Sequence, residues 1–212
     1  MLSDTLHLAT SPSNNKNSPT PVLVYFISGN PGLIEYYRPF FTHLLKSLQS
    51  NPETSGRDFV LRGESLAGFE VGTSLPKFDF RKRLPLTLRE QIEDVQSRIV
   101  SAAGKLRHEA GLEVGSGEYA RGSAKVSVVL IGHSVGAYIL LEILKRRQHA
   151  QRHPSDGAQD SGEDGYEIVG GINLFPTIVH IEKSRNGRVA TVRSSHRPSH
   201  LCSPHTMHRN SR

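Results

Sequence analysis

Cysteine is almost absent from this 212-residue sequence, Cys202 standing alone, so no intrachain disulfide and no Cys-based metal cluster can be built. Long hydrophobic runs are missing too. The longest, Val22 to Ile27 and Val126 to Ile131, fall far short of the roughly 18 to 20 apolar residues that cross a bilayer as a helix. No transmembrane segment is expected. The first residues bring Asp4 almost at once and run into Ser, Asn and Pro, without the basic start and apolar stretch of a secretory signal. A cytoplasmic-side chain is the expectation. Acidic residues are missing from the stretch Lys183 to Arg212, which holds seven Lys and Arg. Taking those seven from the total of 26 leaves 19 against 20 Asp and Glu, so the net charge of +6 belongs to the tail. The tail has no Phe, Tyr or Trp on which bases could stack, and no nucleic-acid partner is expected.

What is present, 36% hydrophobic and 22% charged residues, fits a soluble globular domain resting on a hydrophobic core. Three regions are expected: a flexible polar lead over 1–20, a core over 21–182, and a basic disordered tail over 183–212. Within the lead, Leu6 to Ala9 has the form of a short strand. Val22 to Ile27 is a continuous apolar run ended by Gly29-Asn30-Pro31-Gly32, which predicts a strand buried on both faces. From Glu35, the residues Tyr37, Phe41, Leu44, Leu45 and Leu48 recur at helical spacing, with Tyr36 and Phe40 widening the stripe. That face is read as core against a sheet.

Asp58 to Arg62 is a candidate second strand, followed by a glycine-containing loop to Arg81-Lys82-Arg83. Thr87-Leu88-Arg89-Glu90 has the form of a capping box and opens a helix to about Arg107. Lys125 to Ile131 is Val-rich and reads as another buried strand. A buried helix follows from Val135 to about Gln148, closing on Lys145-Arg146-Arg147, cations suited to a helix C-terminus. His149 to Gly165 is polar and reads as a surface insertion before a strand over Tyr166 to Leu174. Strands alternating with helices predict an α/β fold with a mostly parallel sheet covered by helices on both faces. Chemistry is then expected at the strand C-termini.

At one such strand end stands Gly132-His133-Ser134-Val135-Gly136, the G-x-S-x-G form of a nucleophile elbow. Small residues two before and two after the Ser let the backbone close sharply and leave Oγ exposed. The pentapeptide by itself is common; its place between a clear strand and a clear helix singles it out. Acyl transfer also needs two backbone N–H groups aimed at the oxyanion, one after the nucleophile and one from the loop after an earlier strand. Val135 and Asn30 are the natural donors, since Pro31 has no N–H. His133 beside the Ser is read as structural.

The segments SGNPG, EYYRPFF, GHSVGAYILLEILKR and INLFPTIVHIEKSRNGR together resemble the lipid droplet-associated hydrolase family of the α/β-hydrolase superfamily, over roughly Val22 to Arg188. The resemblance implies an α/β-hydrolase-type sheet, incomplete at the C-terminus, and a serine ester hydrolase acting on lipid or sterol esters. It implies peripheral placement on the lipid droplet surface and no cofactor or metal. Ser134 matches the nucleophile, Asn30 and Val135 the oxyanion donors, and Gly132 and Gly136 the elbow glycines.

The family's acid and His follow strands beyond the LFPTI segment, so this chain reads as truncated or frame-shifted after Arg188. Neither His180 nor Asp156, Asp160 and Asp164 of the insertion suits the triad. The alternative is an inactive family member retaining part of the fold, and weak activity is the expectation.

Overall fold

The structure, a computed structural model, describes residues 3–10, 20–54, 56–71, 86–112, 125–152 and 165–177. All of them fall within the unit Met1–Ile178. Five strands form one sheet: β1 (Thr5–Ala9), β2 (Val22–Ile27), β3 (Phe59–Glu64), β4 (Val126–His133) and β5 (Tyr166–Leu174). Their spatial order is β1-β3-β2-β4-β5, with β1 antiparallel to β3 and every other pairing parallel. Helices α1 (Arg38–Ser50), α2 (Leu88–Glu109) and α3 (Val135–Arg152) connect the parallel strands.

The sheet is covered on both faces. Alternate residues of β2 point to opposite sides: Leu23, Tyr25 and Ile27 join a core with Ile92, Val95 and Ile99 of α2 and Ile139, Leu140 and Ile143 of α3. Val22, Val24 and Phe26 join a second core with Phe41 of α1, Leu6, Leu61 and Ile131. All six residues of β2 are buried, as the unbroken apolar run requires. β4 is less uniform, because Ser127 and Val129 on its α1-side face are only half-buried.

The expected helix from Glu35 divides in two. Ile34–Tyr37 closes as a 3-10 turn and the α-helix starts at Arg38, with Pro39 in its first turn. Proline lacks an N–H but fits the first turn, where the amides have no intrahelical acceptor, so it fixes the start of the helix. Tyr36 and Phe40 are exposed, although the Phe40 ring still packs 5.6 Å from that of Phe26, and the stripe against the core is Tyr37, Phe41, Leu44, Leu45 and Leu48. The capping box forms: Thr87 Oγ1 accepts from Glu90 N–H at 3.3 Å and Glu90 Oε2 accepts from Thr87 N–H at 2.7 Å. Helix α3 reaches Arg152, so the insertion expected from His149 begins later. The Arg81-Lys82-Arg83 run and the tail from Lys183 lie outside the described residues.

Connectivity fixes where a site can form. From β2 the chain moves to β3 on one side, and β4 then lies on the other side of β2, so the strand order reverses between β2 and β4. At such a reversal the loops leaving adjacent strand ends diverge and open a crevice. The register aligns Ile27 with Gly132, and Gly132 with Asn173, bringing the ends of β2, β4 and β5 to one line.

Candidate active site

Ser134 occupies the single turn between the last residue of β4 and the first of α3, with φ 54°. This left-handed conformation is one L-residues rarely adopt outside tight turns. Its neighbours show what enforces it. A Cβ on Gly132 would lie 2.5 Å from Gly136 O and 2.7 Å from Ala137 Cα, and one on Gly136 would lie 2.2 Å from Ile27 O. Both glycines are therefore required by backbone contact: one lets the helix fold back on β4, the other lets α3 sit against the end of β2.

The loop after β2 is packed from two sides. A Cβ on Gly29 would meet His133 Nδ1 at 2.7 Å and Ser134 Cβ at 2.9 Å; one on Gly32 would meet Leu66 Cβ at 2.6 Å. Leu66 N–H donates to Gly32 O at 2.7 Å, and Ile34 N–H donates to Ser65 Oγ at 3.2 Å. The segment after β3 is itself held to α2. Arg98 donates to Ser65 O at 2.7 Å and stands 2.8 Å from Asp94, 3.6 Å from Glu64 and 3.7 Å from Glu70.

Within this loop the Gly29 amide donates to Tyr37 Oη at 3.1 Å and the Leu33 amide to Pro31 O at 2.8 Å. Asn30 is exposed, and its N–H has no hydrogen-bond acceptor among the described residues. The N–H of Val135 opens helix α3, a position without an intrahelical acceptor; Ala137 N–H takes up the Ser134 carbonyl at 3.1 Å. The two amides singled out in the sequence lie on the loop after β2 and at the first residue of α3.

Two contributors were not legible beforehand. The segment after β5 grips the turn: Ser134 N–H donates to Leu174 O at 3.0 Å, Thr177 N–H donates to Ser134 O at 3.2 Å, and Ser134 Oγ lies 3.2 Å from Thr177 Oγ1. Between these residues Phe175 has φ 45° and is 85% exposed, its ring 6.1 Å from that of His133. On the other side Tyr37 Oη lies 3.0 Å from His133 Nδ1, and its ring packs 4.5 Å from Phe26. Burial raises the Tyr37 hydroxyl above the ordinary phenol range, opposed by the Gly29 hydrogen bond. The proximity of LFPT to the serine is a long-range fact, and its sequence signal was confined to the motif itself.

No imidazole or carboxylate is hydrogen-bonded to Ser134 Oγ among the described residues. His180 and the three Asp residues of the insertion lie outside them.

A model of the family described as lipid-droplet associated hydrolase matches residues 20–207. The chain belongs to this family. The match continues beyond Arg188, where the sequence alone is expected to leave the family's pattern. The human lipid droplet-associated hydrolase is 28% identical over 170 residues, covering 80% of this chain and 42% of that protein. The rat protein of the same name is 29% identical over 169 residues, again covering 80% and 42%, and the chicken protein 26% over 181, covering 85% and 44%. The chain thus spans less than half the length of the lipid droplet-associated hydrolases it matches.

Proposed function

We propose that this chain carries the nucleophile and oxyanion half of a serine ester hydrolase that acts on lipid or sterol esters at lipid droplets. The observation that carries this reading is the φ of Ser134, held between two glycines that backbone contacts require. A side chain strained outward at a strand-to-helix turn is what acyl transfer asks of its nucleophile. In the proposed reaction Ser134 Oγ attacks the acyl carbonyl carbon and the carbonyl oxygen becomes an oxyanion. Asn30 N–H and Val135 N–H donate to it, aided by the positive end of α3. Collapse expels the alcohol and leaves an acyl-serine, which water then cleaves to the carboxylic acid.

The serine proton needs a base, and the acid and imidazole of the reading come from outside the described residues. The droplet surface as a partner, and hydrolysis as the reaction, are supported by the name of the relatives, lipid droplet-associated hydrolase; esters as the substrate class rest on reading Ser134 as an acyl-transfer nucleophile. Among the described residues no helix is long and apolar enough to span a membrane. A second reading, an inactive family member, is favoured by one observation: Ser134 Oγ is engaged by Thr177 and by no base among the described residues.

Treating the full chain with a fluorophosphonate and mapping the adduct by peptide mass spectrometry tests the proposal. The expected outcome is slow phosphonylation confined to Ser134 and abolished in Ser134→Ala. Adducts scattered over several serines, or none at Ser134, would favour the inactive reading.

A further inference from the structure

The proposed chemistry uses two amides on different loops, Asn30 after β2 and Val135 after β4. Their separation must be set by something that spans the loops. Between them lies the bridge Gly29 N–H to Tyr37 Oη to His133 Nδ1, at 3.1 and 3.0 Å. Gly29 precedes Asn30; His133 precedes Ser134 and Val135. Its ends are thus tied within two residues of each donor.

We propose that Tyr37 is a positioning residue, whose hydroxyl joins the loop carrying Asn30 to the turn carrying Val135 and fixes the tautomer of His133. This rests on reading Ser134 as the nucleophile. The Gly29 amide only donates, so Tyr37 Oη accepts there; of the two directions open to its contact with His133 Nδ1, we take the Tyr37 O–H as the donor. Burial keeps the phenol protonated. In this assignment His133 Nδ1 accepts from the Tyr37 hydroxyl, which puts the ring proton on Nε2. His133 is thereby a strut, with the nitrogen that faces Tyr37 already engaged.

The aromatic surroundings hold the bridge in place. Tyr37 packs at 4.5 Å on Phe26 of the central strand and at 5.5 Å, edge-on, against His133. The hydroxyl is therefore a group that can be deleted without removing the ring.

The test uses the full chain and two readouts, nitrogen-15 imidazole NMR and fluorophosphonate labelling of Ser134. In the wild type His133 is expected as the Nε2–H tautomer. Tyr37→Phe keeps the ring contacts, so the chain should fold as before while the His133 Nδ1 resonance shifts and Gly29 amide exchange quickens. The maximal labelling rate should fall about tenfold, less than the loss on deleting an oxyanion donor outright, with the half-saturating phosphonate concentration unchanged. Combined with His133→Ala, the two losses should be less than multiplicative, because both break one bridge.

An Nδ1–H tautomer in the wild type overturns the proposal without recourse to variants. Equal labelling of wild type and Tyr37→Phe, with the bond visibly lost, overturns the positioning role while leaving the serine reading intact. Absence of any Ser134 adduct in the wild type overturns the serine reading, and the positioning role with it.

Discussion

Ser134 keeps a left-handed backbone, φ 54°, that costs an L-residue about 1–2 kcal/mol. That cost gives the residue a measurable signature apart from its chemistry. Replacing Ser134 by Ala or by Gly removes the same hydroxyl and the same contact with Thr177. At ordinary backbone angles the Gly variant would be the less stable by about 0.5–1 kcal/mol. Here Ser134→Gly should be the more stable of the two by about 1 kcal/mol, because glycine alone adopts this conformation without penalty. Urea unfolding of both variants decides it; an Ala variant equal to or above the Gly variant would mean the turn is not strained. The residues of this turn were legible because they are adjacent in sequence. Tyr37 and Thr177 were not, because they reach His133 and Ser134 across 96 and 43 residues, and pattern within a short window carries no such information.

At the scale of elements, what was legible follows how each element is specified. β2 and the start of α2 are encoded locally, by an uninterrupted apolar run and by the Thr87–Glu90 capping box. The entry to α1 was misread because Ile34–Tyr37 closes as a 3-10 turn before Pro39 sets the helix start, and because Tyr36, apolar at the right spacing, faces outward. Helix α2 also fixes the segment after β3 through Arg98, whose side chain is 21% exposed and faces Glu64, Glu70 and Asp94. Arg98→Met would take this cation from Asp94 and Glu70 in a half-buried space, leave Glu64 to Arg62 at 3.0 Å, and free Ser65 O. The expected loss is about 2 kcal/mol, between the small value of an exposed pair and the 3–5 kcal/mol of a buried one. A urea midpoint unchanged from wild type would show that the cluster is only a solvated surface. Because Leu66 and Ser65 hold the loop after β2, the same variant should also slow phosphonylation of Ser134.

For the molecule as a whole, the order β1-β3-β2-β4-β5 with one antiparallel edge is the consequence of a chain that folds outward from β2 in both directions. The α/β class with helices on both faces was legible from the alternation of elements, and with it the expectation of chemistry at the strand C-termini; the reversal of strand order between β2 and β4 was not, because it depends on which strands pair across the sheet. Which acid and base complete the proposed reaction was not, since their placement depends on segments outside the described residues. The central claim is that Ser134 and the amides of Asn30 and Val135 form one acyl-transfer site. A crystal structure of the phosphonate-treated chain tests it most directly. The account predicts phosphorus bonded to Ser134 Oγ, with one phosphonyl oxygen about 2.7–3.1 Å from both amide nitrogens. Phosphorus on another side chain, or an oxygen that approaches neither Asn30 N nor Val135 N, would contradict it.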